Sequence, residues 1–563
     1  MEAKQLYAEE IEKTISGVKK KEEIEGLIEK PKFEEQGDLA FPCFVLAKQL
    51  KQAPAKIAEQ LANQIQASIF SKVVAVGPYV NVFLNRAEMS KSILSKVLAE
   101  KECFGAQSIG EGQVLTIDYS SPNIAKPFSM GHLRSTVIGN SLATVAKKNG
   151  YQVVRINHLG DWGTQFGKLI TAYKKWGNPD TIKENPIKEL LALYVKFHEE
   201  AEEKRELEDE ARAWFKRLED GNVEATELWN WFKDESLQEF AKIYQLLGVP
   251  FDSYHGEAFY NDKMDGVIKE LENKNVLERS DGADVVSLEK ENLPPCLIRK
   301  SDGATLYATR DLAAAIYRQK TYQFSKSFYV VGHEQSLHFQ QIKLVLEKLG
   351  YDWAKEIEHI PFGFILQNGR KMSTRKGRVI LLEEVIKEAI DLAKQNINEK
   401  NPNLVDKDEV AKQVGVGAII FHDLKNEKQN NVEFSLEDML RFEGTTGPYV
   451  QYTHARACSI LRKAKFGEVS SPEDGLDDSY SWAVLKLVDH FPHVVERSFL
   501  LRDPSKVAKY VLELAQEFNK YYSHVKILVE DEQYEARLAL VKAVTIVLKE
   551  GLRLLGVKAP KQM

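Results

Sequence analysis

The sequence predicts a multidomain α/β protein with a doubly wound central sheet, a small N-terminal α/β domain and a C-terminal all-α helix bundle. Residues 114–119 and 151–156 are β-rich apolar runs separated by a polar loop and a helical pattern, the repeating unit of an open parallel sheet. Residues 171–247 have helical spacing throughout, which indicates a helical insertion. From about residue 441 onward only helical spacing remains, as in a helix bundle.

Length and composition are those of a globular protein with several cores. At about 150 residues per domain, 563 residues suggest three or four domains. The 43% apolar content is sufficient for packed interiors. A net charge of -6 argues against a protein that coats nucleic acid nonspecifically, but it leaves room for a local basic surface. The four cysteines lack Cys-x-x-Cys spacing, so we expect neither a zinc site nor a disulfide framework.

The N-terminus predicts a charged helix rather than a signal peptide. No apolar run approaches the roughly 18 residues that a membrane span requires. We therefore expect a cytoplasmic protein with no membrane partner.

The loop that follows the first strand has the chemistry of a nucleotide site. It reads SPNIAKPFSMGHLR (residues 121–134) and lies at the carboxyl end of a strand, where open α/β sheets bind nucleotides. Gly131 allows a base or ribose to lie against the backbone, and His132 at the helix start can donate a hydrogen bond to a phosphate. Lys126 is a mobile cation nearby. The alternative is an ordinary polar loop that caps the helix.

A second motif, KMSTRKG (residues 371–377), follows a later predicted strand. Mobile lysines can close over a triphosphate and follow its charge as pyrophosphate leaves. The alternative for a basic run is a solvated surface.

Together the two motifs resemble the paired motifs of class I aminoacyl-tRNA synthetases. Longer stretches resemble arginyl-tRNA synthetases in particular, and the likeness covers essentially the whole chain: residues 121–135, NHLGDWGTQFG (157–167), YATRD (307–311) and GPYVQY (447–452). The resemblance implies a Rossmann-type catalytic domain that joins L-arginine to ATP as arginyl-adenylate and passes the arginyl group to tRNA. It also implies that activation of arginine often needs bound tRNA.

The resemblance assigns roles at the ATP site. It makes His132, Lys371 and Lys126 the catalytic residues, and ATP would enter with Mg²⁺ but without a dedicated protein metal site. The other ATP-binding residues are Ser129, Gly131, Met372 and Ser373.

Two positions depart from the family motifs. Ser129 stands where a histidine is expected and Thr374 where a lysine is expected. A serine hydroxyl can bind a phosphate oxygen but carries no charge. Lys126, Arg375 and Lys376 are the candidates for the missing cation, and the departures bear on rate more than on fold.

Residues 111–380 are the predicted catalytic domain, with the connective insertion at about 171–284. Aromatic residues of the insertion are more typical of a helical core than of an RNA-stacking platform. These are Trp214, Phe215, Trp229, Trp231 and Phe232.

The arginine pocket requires a carboxylate, because a guanidinium stays charged and its planar fork matches a carboxylate. Asp311 is our first choice, with the Tyr307 hydroxyl beside it, the tyrosine at a strand end and the aspartate at a helix start. Without the family likeness, an N-cap is the better explanation of Asp311. By the resemblance, Glu257 is a second pocket carboxylate. Asn123 and Gln335 bind the α-ammonium group, and Asp118 lies close by.

The remaining segments are predicted to contact tRNA. Residues 1–110 match the family's elbow-binding domain, in which Tyr79 and Asn81 would read a D-loop base, unless they form an ordinary strand edge. Residues 381–440 form a helical stem-contact or linker region, and 441–563 the anticodon-binding bundle. There we expect Tyr452, and less firmly Tyr521 and Met563, to face the anticodon, although helical tyrosines are more often core.

Two other functions remain open from sequence. One is a related class I enzyme for glutamine or cysteine, and the other is a non-catalytic tRNA-binding descendant, which the Ser129 and Thr374 departures suggest. We expect a monomer that binds tRNA, arginine and ATP but not DNA.

Overall fold

The structure is a computed structural model that describes residues 2–126, 128–301, 307–371, 380–467, 472 and 474–563. The side chains of Glu2, Glu34 and Lys371 are outside that description. Met372, Ser373 and Thr374 of the second motif also lie outside the described residues.

The N-terminal unit is a three-stranded antiparallel sheet packed against helices. The central strand pairs with both others, and its core is separate from that of the rest of the chain. The Tyr7 hydroxyl donates to the carbonyl of Val80 at 2.8 Å and ties the first helix to the sheet. Its elements are α1 (Glu2–Thr14), α2 (Lys21–Leu27), β1 (Leu39–Pro42), α3 (Ala47–Leu50), α4 (Pro54–Gln64), β2 (Phe70–Val76) and β3 (Tyr79–Leu84).

Helix α5 (Arg86–Glu100) belongs to the main core rather than to the N-terminal unit. Its apolar residues Met89, Ile93, Leu94 and Val97 are buried with those of the C-terminal helices. The core of the N-terminal unit therefore ends near Leu84, upstream of the predicted boundary at 110.

The catalytic domain starts with a strand–helix–strand unit, as the sequence predicts. Strand β4 (Val114–Asp118) is followed by α6 (Met130–Lys148) and then by β5 (Gln152–Ile156), which pairs in parallel with β4. The helix is almost entirely buried because it lies between the sheet and the C-terminal helices.

A long insertion follows β5. Most of it is helical, and the predicted aromatic residues pack against the core, with Phe232 fully buried. A three-stranded antiparallel sheet closes the insertion. Its elements are α7 (Thr164–Trp176), α8 (Pro179–Glu184), α9 (Pro186–Glu203), α10 (Glu206–Glu219), α11 (Val223–Leu247), α12 (Met264–Asn273), β6 (Glu278–Ser280), β7 (Ala283–Val286) and β8 (Cys296–Arg299).

The second half of the domain completes a four-stranded parallel sheet. It consists of α13 (Tyr307–Tyr322), β9 (Lys326–Gly332), α14 (Ser336–Lys348) and β10 (Ile357–Phe362). The strand order is β10-β9-β4-β5, so the chain leaves β4 in one direction toward β5 and returns on its other side at β9. The carboxyl ends of β4 and β9 thus flank a topological switch point, the usual ligand crevice of such sheets.

The remaining elements join this domain to the C-terminal helices. They are β11 (Ile365–Gln367), β12 (Arg370–Lys371), α15 (Leu382–Lys400), α16 (Lys407–Leu424), β13 (Val432–Glu433) and α17 (Leu436–Met439). A buried ion pair ties α6 to α16, with Arg134 Nε 2.9 Å from Asp423 Oδ2.

Four long helices form the C-terminal bundle, close to the bounds that apolar spacing predicts. They are α18 (Gly447–Lys463), α19 (Ser479–Leu500), α20 (Ser505–His524) and α21 (Tyr534–Leu554). The predicted fold class is confirmed. No described helix has both the length and the apolarity needed to cross a membrane.

Candidate functional site

The loop after β4 is held in a strained conformation from two sides. Ser120, Ser121 and Ala125 have left-handed backbones with φ of 73°, 46° and 59°. The amide of Ile124 donates to Gly160 of the next βα loop at 3.1 Å, and the amide of Ala125 donates to Ser236 Oγ of α11 at 3.2 Å. Left-handed non-glycine residues persist only where their surroundings fix them, and they cluster at functional sites.

His132 is held as a neutral ring at the start of α6. The backbone N–H of Ser129 donates to His132 Nδ1 at 3.2 Å, so the ring proton is on Nε2. Burial lowers the pKa of His132 to about 4. A neutral imidazole with a fixed tautomer can donate from Nε2 to a phosphate oxygen at any working pH.

The neighbouring positions leave room for a ligand. Gly131 is exposed, and a side chain there would meet no protein atom closer than 3.4 Å, so packing does not require this glycine. Lys126 is also exposed, on the same loop. Both observations fit a loop that accommodates a ligand instead of a core.

The first motif is hydrogen-bonded to the segment that follows the second motif in the sequence, about 250 residues away. The amide of Met130 donates to Ile380 at 3.3 Å, and the amide of Leu382 donates to Phe128 at 3.0 Å. The chain just downstream of the second motif, at Ile380 and Leu382, is therefore held against the first motif. This contact is the arrangement expected if both motifs bind one triphosphate.

Asp311 lies within α13, one turn after its first residue, and is therefore not an N-cap. Tyr307 begins the same helix rather than ending a strand, which corrects its predicted setting, and it is 63% exposed. The two side chains are four residues apart and share a helix face.

The Asp311 carboxylate lies between two histidines. His338 Nε2 lies 2.6 Å from Oδ2, and His158 Nε2 lies 3.9 Å from Oδ1. Burial acts to raise the pKa of Asp311, but the hydrogen bond with His338 and the nearby guanidinium of Arg318 help to lower it overall. The group is an ionised carboxylate suited to a cationic ligand.

Glu257 sits beside the same helix. Its Oε2 lies 3.4 Å from Arg310 Nη1, and burial raises its pKa to about 7 despite that guanidinium. Its ionisation therefore changes near neutral pH.

Asp118 is already paired with the protein. Its Oδ2 lies 2.8 Å from Nη2 of the buried Arg318, and its Oδ1 accepts from Ser121 Oγ at 3.0 Å. Asn123 is partly buried and so close to Gly160 that a side chain at position 160 would clash with its Oδ1. Gln335 is exposed in the turn after β9.

The sheet edge thus gathers most of the predicted site. The loop after β4 supplies Asp118 and Asn123, the turn after β9 supplies Gln335, and α13 supplies Asp311. Arg318, His158 and His338 were not assigned from sequence. Arg318 is seven residues from Asp311 and hence on the same helix face, and His158 lies in the motif at 157–167, so both carried a signal in the sequence, whereas His338 did not.

A second candidate surface lies on the bundle. Tyr452 is 38% exposed and Tyr522 is 45% exposed, and the guanidinium of Arg456 lies 5.0 Å and 5.1 Å from their ring centroids. Tyr521, by contrast, is 0% exposed, so its predicted role in facing RNA is wrong in this structure. Its place is taken by Tyr522, which with Arg456 was missed in the sequence.

The C-terminal tail runs along α18 toward this surface. Gln451 Nε2 donates to Lys558 at 2.8 Å, and His454 Nδ1 lies 2.9 Å from the carbonyl of Pro560. At the end of the tail, Asn401 Nδ2 donates to the carbonyl of Met563 at 3.0 Å. The predicted position of Met563 at the anticodon face stays a prediction.

The predicted elbow residues differ in accessibility. Asn81 is 3% exposed, and its Nδ2 donates to the carbonyl of Gln36 at 2.9 Å, so it cannot reach a base in this conformation. Tyr79 is partly exposed and packs edge-on against the exposed Phe44, with ring centroids 6.1 Å apart. Phe44, not Asn81, is the accessible neighbour of Tyr79.

Comparison with known proteins finds three matching families. The family described as tRNA synthetases class I (R), catalytic domain, matches residues 93–436. The DALR anticodon binding domain matches residues 450–563, and the arginyl tRNA synthetase N terminal domain matches residues 5–84.

Relatives of similar length agree over the whole chain. Arginine--tRNA ligase 2 of Bacillus anthracis is 62% identical over 563 residues, and arginine--tRNA ligase of an Exiguobacterium strain is 61% identical, each with 100% of both chains covered. Among solved structures, an arginyl-tRNA synthetase of Thermus thermophilus superposes with a TM-score of 0.79 at 26% identity, covering 95% of this chain and 96% of that one.

Proposed function

This chain belongs to the class I arginyl-tRNA synthetases, and we propose how its residues divide the work of that enzyme. The reaction ligates L-arginine to its tRNA, using ATP and an arginyl-adenylate intermediate, for protein synthesis. The observation that carries the proposal is the carboxylate of Asp311, ionised and flanked by two histidines at the edge of the sheet.

The first step is in-line attack of the arginine carboxylate on the α-phosphate of ATP. This step needs alignment of the reactants and neutralisation of developing charge more than a general base. His132 donates from Nε2 to a phosphate oxygen, and the exposed Lys126 approaches the triphosphate from the same loop. Lys371 adds a second cation as pyrophosphate leaves.

The rest of the proposed ATP site consists of small groups on the two motifs. Gly131 admits the nucleotide against the backbone, and the Ser129 hydroxyl binds a phosphate oxygen without adding charge. Met372 and Ser373 complete the site from the second motif. Mg²⁺ would enter with ATP as part of the substrate and would supply positive charge beside the triphosphate.

The guanidinium of arginine binds at Asp311. A carboxylate can accept two parallel N–H bonds from a guanidinium fork, which fixes both the charge and the orientation of the substrate. Glu257 contributes a second carboxylate when ionised, and the exposed Tyr307 covers the entrance from one helical turn away.

The α-ammonium group binds toward the loop after β4. Asn123 and Gln335 supply neutral oxygens from the two loops at the switch point. Asp118 lies behind them, paired with Arg318.

The flanking domains bind tRNA. We assign residues 1–110 to the elbow, 381–440 to stem contact or linkage, and 441–563 to the anticodon, with Tyr452, Arg456 and Tyr522 as stacking groups. The accessible Tyr79 and Phe44 serve at the elbow in place of Asn81.

We further propose that the enzyme works in the cytoplasm as a monomer. All residues of the proposed site come from one chain, so no second copy is needed to complete it. Light scattering of the purified protein at working concentration would report a single 64.0 kDa species.

Arginine-dependent exchange of labelled pyrophosphate into ATP tests the proposal. Exchange is expected with arginine and not with lysine or glutamine, because only a guanidinium has the planar fork that matches the Asp311 carboxylate. Running the assay with and without tRNA decides whether tRNA must bind before arginine is activated. If the wild-type enzyme supports exchange equally well with lysine or glutamine, the assignment of the pocket is contradicted.

A further inference from the structure

The Asp311 carboxylate has a histidine beside each oxygen, and one of the two, His158, is itself held by Arg318. We propose that His338 and His158 are positioning residues that fix the plane of this carboxylate for the substrate guanidinium. We further propose that Arg318 and Asp118 serve as the buried support of His158. This inference rests on the proposed role of Asp311 and extends it to residues that do not touch the substrate.

His338 contacts the Asp311 carboxylate directly. His338 projects from α14, and its Nε2 lies 2.6 Å from Asp311 Oδ2, a short distance typical of a charge-assisted hydrogen bond. An ionised aspartate has no hydrogen to donate, so His338 must carry the proton on Nε2. That bond uses one lone pair of Oδ2 and leaves the others for a ligand.

His158, which lies beside the other carboxylate oxygen, is oriented by Arg318. Arg318 Nη2 lies 3.3 Å from His158 Nδ1, and a guanidinium can only donate, so Nδ1 is the acceptor and the His158 proton lies on Nε2. Nε2 is the atom that lies 3.9 Å from Asp311 Oδ1. Burial, together with Arg318, lowers the pKa of His158, in agreement with a neutral ring.

Arg318 is fixed by the third member of the chain. It is 1% exposed, and Asp118 Oδ2 lies 2.8 Å from the same Nη2 atom. One hydrogen of Nη2 can bond Asp118 while the other bonds His158. The face of the Tyr329 ring lies 5.4 Å from the guanidinium and covers it.

The charges in this network leave Asp311 as the carboxylate with the least neutralisation by the protein. Asp118 and Arg318 neutralise each other, and Glu257 is paired with Arg310, whereas His158 leaves Asp311 without a full countercharge. Asp311 is therefore the place where a substrate cation gains most. Because the carboxylate is already fixed in place, it does not have to reorganise when arginine binds. This arrangement favours the rigid guanidinium of arginine over flexible cations.

A double-mutant cycle between His338 and Asp311 tests the inference. Arginine KM is measured by aminoacylation at saturating tRNA and ATP for His338→Leu, Asp311→Asn and the double variant. His338→Leu is expected to raise the KM for arginine roughly 10- to 100-fold, as for loss of a charge-assisted hydrogen bond, with the KM for ATP unchanged.

The decisive result is the lack of additivity. Because His338 acts through Asp311, the double variant should be no worse for arginine than Asp311→Asn alone. His338→Gln, which keeps an N–H donor, should recover most of the loss. His158→Leu should give a smaller rise than His338→Leu, about 3- to 10-fold, since its contact is longer.

His422→Leu is the matched control. His422 is a partly buried histidine of α16 whose Nε2 lies 2.8 Å from the carbonyl of Glu433, and it contacts no member of the Asp311 network. Its substitution should leave the KM for arginine unchanged. If His338→Leu also leaves it unchanged, or if the two losses add, the positioning role is refuted. If Asp311→Asn alone has no effect, the proposed role of Asp311 falls, and this inference falls with it.

The role of Asp118 has its own test. A deaminated arginine, which keeps the guanidinium but lacks the α-ammonium group, serves as a competitive inhibitor. Support through Arg318 predicts that Asp118→Asn weakens arginine and this inhibitor by the same factor. Weakening of arginine alone would show that Asp118 binds the α-ammonium group directly and would refute its place in the network.

Discussion

The catalytic pocket and the bundle surface recognise their ligands in opposite ways. Around Asp311, charged and polar side chains are buried or partly buried, and they contact one another across different elements. Around Tyr452, two exposed rings share a single guanidinium and are open to solvent. A guanidinium is best recognised by a carboxylate that is held in place, whereas an unpaired base needs an exposed aromatic ring on which to stack.

The comparison also separates two kinds of failure. A change in the pocket disturbs a network, so its effect spreads to neighbouring residues and is not additive. A change on the bundle surface removes contact area and should leave its surroundings intact. The predictions below exploit that difference.

The largest effect is expected from Asp311→Asn. Replacing the carboxylate removes the negative charge and one of the two acceptors of the guanidinium fork, so kcat/KM for arginine should fall by roughly 100-fold or more. The measurement is aminoacylation at saturating tRNA. Asp352→Asn, on a different segment, is the control, and an equal loss there would indicate nonspecific damage.

Tyr452→Ala should act on tRNA alone. Loss of one stacking ring costs about 1–3 kcal/mol, a factor of roughly 5 to 150 in the dissociation constant for tRNA. Filter binding measures this constant. The KM for arginine at saturating tRNA should not change. A change in that KM would contradict the claim that the pocket and the bundle surface act independently.

The pocket should also respond to pH through Glu257. Its pKa of about 7 means that the group is ionised above neutrality and uncharged below it. The KM for arginine should therefore rise as the pH falls from about 8 to about 6, by at most roughly 10-fold per unit. Glu257→Gln should give a high, flat profile over the same range, and a profile parallel to wild type would exclude Glu257 from the pocket.

The smallest effects distinguish the adjacent tyrosines of the bundle. Tyr522→Ala should weaken tRNA binding several-fold, within the same range of about 1–3 kcal/mol or below it, because the ring is exposed beside Arg456. Tyr521→Phe should leave tRNA binding unchanged, since that ring is buried. The reverse order in filter binding would restore the original prediction for Tyr521.

The sequence predicts the elements and motifs well because periodicity and motif spacing are local properties. The strand–loop–helix–strand unit and the four bundle helices are found close to their predicted bounds. Tyr307 was expected at a strand end, but it lies in α13, and a single residue carries no periodicity that could separate the two settings.

Burial of single side chains was harder to predict. Tyr521 and Tyr522 are neighbours with the same chemistry, and only packing of the helices decides which one is exposed. Asn81 and Tyr79 share a face of the same strand, but the Asn81 side chain is covered where it bonds the carbonyl of Gln36. The histidines around Asp311 come from residues 158 and 338, and no sequence pattern brings positions so far apart together.

The most direct test of the account measures two constants on two variants. The KM for arginine and the dissociation constant for tRNA are determined for Asp311→Asn and for Tyr452→Ala under identical conditions. The account predicts that Asp311→Asn changes only the first constant and Tyr452→Ala only the second. If either variant shifts both constants by similar factors, the division of recognition between a buried pocket and an open surface is wrong.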